Sequence, residues 1–334
     1  MNKTGTDTVT SNFNRTRAVR LALIVLALAL LAIAPFFIYP VFLMKALCFA
    51  LFACAFNLLI GYGGLLSFGH AAFFGASAYL CGYAARDLGL SPELSILFGT
   101  ACAAVLGLII GGLAIRRHGI YFAMVTLALA QMVYFLAVQA RFTGGENGMQ
   151  NIPRGRLFGL IDLSNTLNMY AFVVAIFLIG FAIIHRTVES PFGQVLRAIR
   201  DNENRAVSLG YDANRHKLLA FVISAAMTGL AGSTKALVFE LASLTDVHWT
   251  MSGEVVLMTL LGGMGTMLGP VVGAFLIVAM QTFLAEVGSW TMAIQGATFI
   301  LCVLMFRSGI VGTLRKLFPR EAEPAPRAKS TKQE

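Results

Sequence analysis

The feature that most constrains this chain is a succession of apolar runs about as long as a lipid bilayer is thick. Residues 21–39, 41–60, 94–115, 120–138, 169–184 and 218–239 run almost without charge. About 20 residues at a rise of 1.5 Å per residue cross the hydrocarbon core of a membrane. No water is present there to satisfy backbone N–H and C=O groups, so such runs must be helices. Composition agrees: 12% of the 334 residues are charged, against about 25% in a soluble domain. The sequence therefore predicts an all-α, polytopic integral membrane protein, although its length alone would allow two soluble domains.

Two further apolar stretches are crowded with glycine. One is Gly61-Tyr-Gly63-Gly64-Leu-Leu-Ser67-Phe-Gly69-His70, in the first half of the chain. The other is Leu261-Gly262-Gly263-Met-Gly265-Thr-Met-Leu-Gly269-Pro, in the second half. Glycine inside a helix costs about 1 kcal/mol relative to alanine, so such clusters need a reason. Broken segments at corresponding places in two halves point to a transport path and a possible internal repeat. Close helix packing accounts for isolated glycines such as Gly107 and Gly111. On this basis Gly63, Gly64, Ser67, Gly69, His70, Gly262, Gly263 and Gly265 are the candidate substrate path. Residues 254–285 are too long for one span and too short for two, so a half-helix leading into a full helix is expected there. The count becomes eight to ten membrane segments, within a transmembrane domain of residues 21–306.

Lysine and arginine fix the orientation, because they concentrate on the cytoplasmic side. Lys3, Arg15, Arg17 and Arg20 precede the first span, in a tail of residues 1–20. Alternation then places twelve basic residues inside and four outside (Arg86, Arg141, Arg154 and Arg156) before residue 218. The final stretch, 307–334, carries seven basic residues and no apolar period. It is expected to be a disordered cytoplasmic tail. Both termini are thus expected inside. Ala32-Ile-Ala34 resembles a signal-peptidase site, but its apolar run is too long and Pro35 follows, so a retained anchor is expected.

Residues 186–217 form the long charged segment between spans. Ser190-Pro191 is a helix start, with the hydroxyl as cap and proline in the first turn. Phe192, Val195, Leu196 and Ile199 recur at helical spacing, with Arg197 and Arg200 on the other side. Gly210 suits a helix C-terminus. A strongly basic amphipathic helix would lie on lipid. The six basic and four acidic residues here are mixed, which favours docking on a soluble partner.

The spacing Glu203-x-x-Ala206-x-x-x-Gly210 resembles the coupling motif of bacterial ABC importer permeases. The longer string Ser190-Pro-Phe-Gly-Gln-Val-Leu-Arg-Ala-Ile-Arg-Asp-Asn-Glu203 is similar to one family among them. That family comprises the branched-chain amino-acid (Leu/Ile/Val) permeases, here the longer of two paired membrane subunits. The strings around Ser67, around Phe142-Thr-Gly-Gly145 and around Gly269 are similar to it as well. Only Arg205 departs from the motif, where a second alanine is usual. The resemblance implies a permease in the inner membrane that pairs with a sister permease, two cytoplasmic ATPases and a periplasmic substrate-binding protein. It implies that Phe192, Arg197, Arg200, Glu203, Ala206 and Gly210 couple the chain to the ATPases.

The residues of this chain fit a subunit that spends no ATP itself. Gly229-Leu-Ala-Gly-Ser-Thr-Lys235 lacks the spacing of a phosphate-binding loop. No cofactor or metal ligand set is expected, and ATP belongs to the partners. The five cysteines lie in apolar segments without a Cys-x-x-Cys pair, as buried hydrophobes do. The +9 charge reflects sidedness in lipid rather than affinity for nucleic acid. Lys45, Asn57, His70, Gln131, Lys235, Gln281 and Gln295 are polar groups inside spans; Lys45 and Lys235 are expected to be structural. Urea, amides or other hydrophobic amino acids are alternative cargoes. An ion-coupled secondary carrier is the alternative mechanism.

Overall fold

The computed structural model describes residues 29–31, 33–284, 290–305 and 309–317. The expected N-terminal tail and residues 318–334 lie outside these. After a helical stretch at 33–37, the chain forms α1 (Pro40–Asn57), which continues into a π turn (Leu58–Tyr62). There follow α2 (His70–Arg86), α3 (Pro92–Ala114), α4 (Ile120–Gln139) and α5 (Thr166–Glu189). A charged unit comes next, α6 (Pro191–Asp201) and α7 (Glu203–Ser208), then α8 (Ala213–Phe239) and the single turn α9 (Leu244–Val247). The last elements are α10 (Trp249–Gly262), α11 (Gly269–Phe283), α12 (Trp290–Met305) and α13 (Ile310–Leu317).

Pro40–Tyr62, Pro92–Ala114, Ile120–Gln139, Thr166–Glu189 and Ala213–Phe239 are each long and apolar enough to cross a membrane. Their surroundings differ sharply. Nearly all of α1 is buried, whereas only about a fifth of α4 is, with Met124, Phe135 and Leu136 each more than 60% open. A helix that is apolar all round belongs in a core or in lipid. Here α1 is the core, and α3–α4 leave an apolar face exposed. Without a hydrophobic force between helices in lipid, association depends on close packing of small residues. Gly107 of α3 lies against Ala225 of α8, and Gly111 against Phe221, each with no room for a methyl group. Those two glycines are packing glycines, as expected.

The described part of residues 254–285 breaks at the glycines, as expected, but no full span follows: Trp249–Gly262 and Gly269–Phe283 are two short antiparallel helices, α10 and α11, of 14 and 15 residues. Gly262 abuts the Gly269 carbonyl at the turn, and Gln281 Nε2 donates to Glu254 Oε2 (2.9 Å) at the far ends. Gly-Gly and Gly-Pro make a hairpin here because nothing with a Cβ fits at Gly262, where it would lie 1.8 Å from the Gly269 oxygen. A second correction concerns the tail: Ile310–Leu317, expected to be without structure, is helical and packs on α10 and α11.

The bundle has two distinct ends. One carries the π turn, the α6–α7 unit, the α10–α11 turn and Gly309, which touches Gly263. At the other lie two small antiparallel ladders. β1 (Met149–Gln150) pairs with β4 (Leu241–Ala242), and β2 (Arg156–Leu157) pairs with β3 (Ile161–Asp162).

Candidate functional site

The α6–α7 unit is built by its caps. Ser190 Oγ accepts from the Gly193 N–H (3.3 Å) and Pro191 opens α6, so the chain turns sharply out of α5. Asn202 Oδ1 accepts from the Arg205 N–H (3.0 Å) and starts α7; Asp212 does the same for α8 through Arg215 (3.1 Å). Leu196 and Ile199 face inward and are buried, and Ala206 packs on Ile199 and Ala213. Phe192 stacks on the His216 ring, centroids 5.7 Å apart. Gly210 closes the unit with φ +89° and open space around it.

Glu203 turns back onto the protein. Its carboxylate binds Lys217 Nζ at 2.7 Å, with His118 Nδ1 at 3.7 Å. The Lys217 side chain is only 6% exposed, so Glu203 neutralises a cation that burial would otherwise penalise. Arg197 and Arg200 also point inward, not away from the apolar face. Arg197 Nη2 donates to the Val188 carbonyl (2.8 Å) and its guanidinium lies over the Tyr62 ring at 5.1 Å. Arg200 donates from Nη1 to the Gly61 carbonyl, and its stem fills the space beside Gly64, whose φ is +69°. Gly63 rests on Leu196. The α6 helix is therefore seated directly on the first glycine-broken segment.

That segment in turn grips the second one. Asn57, 2% exposed at the end of α1, offers both ends of its amide to the α10–α11 turn. Its Nδ2 donates to the Thr266 carbonyl and its Oδ1 accepts from the Gly265 N–H, each at 2.9 Å. Within the turn, Thr266 Oγ1 donates to the Gly263 carbonyl (2.8 Å) and accepts from the Gly269 N–H (3.1 Å). Gly262, Gly263 and Gly265 thus belong to one turn held by Asn57. The Gly61 carbonyl, the Gly265 N–H and the Thr266 carbonyl are each taken up by a side chain, as buried backbone requires.

Ser67, Gly69 and His70 are sealed inside. The N–H groups that open α2 are taken by side chains: Phe68 donates to Thr126 Oγ1 (3.2 Å), Gly69 to Ser67 Oγ (3.2 Å) and Ala71 to Ser252 Oγ (2.9 Å). Ser224 Oγ donates to the Ala55 carbonyl (2.6 Å), so His70 Nε2, 2.8 Å from that hydroxyl, is its donor partner. Phe56, Phe73 and Phe221 meet the imidazole edge-on. His70 is a hydrogen-bonded packing residue in this arrangement. Along the two breaks, the exposed positions are Gly64, Leu66, Met264 and Leu268.

Three things escaped the residue-by-residue reading of the sequence. Asn57 registered only as a polar group in a span, with no hint of its partner 208 residues away. Asp246, outside every apolar run, forms an ion pair with Lys235 in which the side chains are 1% and 14% exposed. Val207, Leu209 and Tyr211 stand exposed on the outward side of the α6–α7 unit, Leu209 by 72%. Their helical spacing is too short to register as a periodic face.

Residues 38–303 match the family described as the permease component of branched-chain amino acid transport systems. The chain belongs to this family. It is 28% identical to the high-affinity branched-chain amino acid transport system permease protein LivM of Escherichia coli, over 78% of this chain and 66% of that protein. It is also 28% identical to the probable LivM of Methanocaldococcus jannaschii, over 57% of this chain and 56% of that one. The autoinducer 2 import system permease protein LsrC of an Enterobacter strain is 28% identical over 63% of this chain and 62% of its own length. The chain thus spans just under two thirds of the E. coli relative. No solved structure matches.

Proposed function

We propose that the chain is the transmembrane permease subunit of an ABC importer, moving leucine, isoleucine and valine across the bacterial inner membrane. It would form a heterodimer with a sister permease, receive cargo from a periplasmic binding protein, and be driven by ATP hydrolysed in two cytoplasmic ATPases. The end carrying α6–α7 faces the cytoplasm in this reading, as its arginines favour, and both termini lie there.

One observation carries the reading. A folded helical unit at one end of the bundle seats its inner face on the first glycine-broken segment through Arg200, and Asn57 at the end of α1 ties that segment to the second, while Val207, Leu209 and Tyr211 stay exposed outside. A secondary carrier has no use for such a unit. Movement of α6 is delivered to the Gly61 carbonyl, and through Asn57 to the Gly265–Thr266 turn. Phe192, Glu203, Ala206 and Gly210 then act by holding the unit's shape, and the exposed apolar residues meet the ATPase.

The test is leucine uptake into proteoliposomes holding the complete importer, with binding protein outside and ATP within. Uptake that vanadate abolishes and an ionophore leaves intact is expected. Uptake that collapses with the ionophore at constant ATP would overturn the reading in favour of an ion-coupled carrier. Competition by urea, acetamide or phenylalanine in the same vesicles assigns the cargo.

A further inference from the structure

A cavity of about 510 Å³ opens where α5, α6, the α10–α11 turn and α13 converge. Sites for small molecules fall in the range of about 300–1,000 Å³. Three chemistries meet in its walls: the Arg197 guanidinium, the Glu189 carboxylate, and an apolar surface of Tyr62, Met267, Leu268 and Val311. Leu268 is 59% exposed despite its size.

Arg197 is held in place by two contacts yet keeps one donor unmatched among the described residues. Its Nη2 is bonded to the Val188 carbonyl and its plane lies over Tyr62. Its Nε–H is nevertheless buried without an acceptor among the described residues. A buried donor left unmade is costly, and a fixed guanidinium edge fits a carboxylate better than any other common anion save phosphate. A phosphate would be repelled by Glu189 on the rim, whose side chain is 66% exposed and whose neighbour within ion-pair distance is His185 (3.3 Å). A molecule carrying a carboxylate, an ammonium and an aliphatic group satisfies all three walls at once.

We propose that this cavity binds a free aliphatic α-amino acid, carboxylate on Arg197, ammonium toward Glu189, and side chain against Met267, Leu268 and Val311. This rests on the reading of the chain as an amino-acid importer subunit and adds to it a site on the cytoplasmic face. The walls belong to the coupling helix and to the hairpin turn together. An occupant ties the two and favours whichever state holds them in this arrangement, so imported product would slow further import.

The experiment measures binding of labelled leucine to the purified importer, this chain with its sister permease and ATPases, without the binding protein. Saturable leucine binding is expected, at least tenfold weaker for leucinamide and for 4-methylpentanoate, which lack one charge each. Arg197→Gln should weaken leucine at least tenfold and remove the preference over leucinamide. Leu268→Trp, which fills the cavity without touching Arg197, should abolish binding and carries the test if the arginine variant does not assemble. Absence of saturable binding, equal binding of leucine and leucinamide, or full binding to the Leu268→Trp importer overturns the proposal. The same preparation, given binding protein and ATP, separates the two readings. Uptake without cavity binding defeats the cavity alone, whereas cavity binding without uptake defeats the importer reading and leaves the site standing.

Discussion

At the end of the bundle where α8 finishes, Lys235 is paired with a nearly inaccessible Asp246, Arg154 binds Glu240 (3.0 Å) and the Val238 carbonyl (2.8 Å), and β1 is laced to β4. At the α6 end the Glu203–Lys217 ion pair ties α7 to α8 and touches neither break, and the joints onto the breaks and α5 are single hydrogen bonds between side chains and backbone: Arg200 with Gly61, Arg197 with Val188, Asn57 with Gly265 and Thr266. Breaking a buried ion pair leaves a charge in a dry place, which costs several kcal/mol. Exchanging one hydrogen bond to a carbonyl for another costs about 1 kcal/mol. On the proposed function the first end is built to stay shut and the second to be moved. The breaks explain why the second can be: a π turn and a glycine hairpin release carbonyls and N–H groups that a continuous helix would keep to itself.

The largest effect is expected where the first end is broken. Asp246→Ala should strand Lys235 and cost about 3–5 kcal/mol, read as a loss of thermal stability of the purified complex. The apolar pair Lys235→Met with Asp246→Leu should recover most of it. Asn57→Leu comes next, leaving the Gly265 N–H and the Thr266 carbonyl without their partner at about 1–3 kcal/mol each. Uptake should fall more than tenfold, and hydrogen exchange should rise at residues 263–268 while the β1–β4 ladder keeps its protection. Equal loosening at both ends would erase the contrast between them. Glu203→Gln should cost about 1.5–3 kcal/mol through the buried Lys217. Lys217→Met should rescue it, which a direct contact between Glu203 and an ATPase would not allow. The smallest effect belongs to Gly210→Ala, where a side chain meets open space and only the left-handed backbone is penalised, by about 1–2 kcal/mol.

Much of this was legible in the residues. Long apolar runs announce the helices, Ser190-Pro191 announces the start of α6, and the two glycine clusters announce where the bundle is broken. Local chemistry sets those features, so a local reading finds them. The direction of Arg197 and Arg200 was not legible, because helical periodicity separates charged from apolar faces but cannot see a carbonyl freed on another segment. The pairing of Asn57 with residues 265 and 266, and of Lys235 with Asp246, is set by how distant elements cross. Charge counting predicts a half-helix and a full helix where the α10–α11 hairpin stands, because it fixes only the side on which a segment ends, not how it turns inside. The helix Ile310–Leu317 was hidden by the basic composition around it, and it is held by packing on α10 and α11.

In the proposed importer the α6 unit drives the broken segments through one side-chain contact, that of Arg200 with the Gly61 carbonyl. In proteoliposomes holding the whole importer, leucine uptake and ATP hydrolysis are measured together for the wild type and for Arg200→Gln. The variant is expected to assemble with the ATPases and hydrolyse ATP, yet to transport at least tenfold less leucine for each ATP consumed. An unchanged ratio of transport to hydrolysis would contradict it.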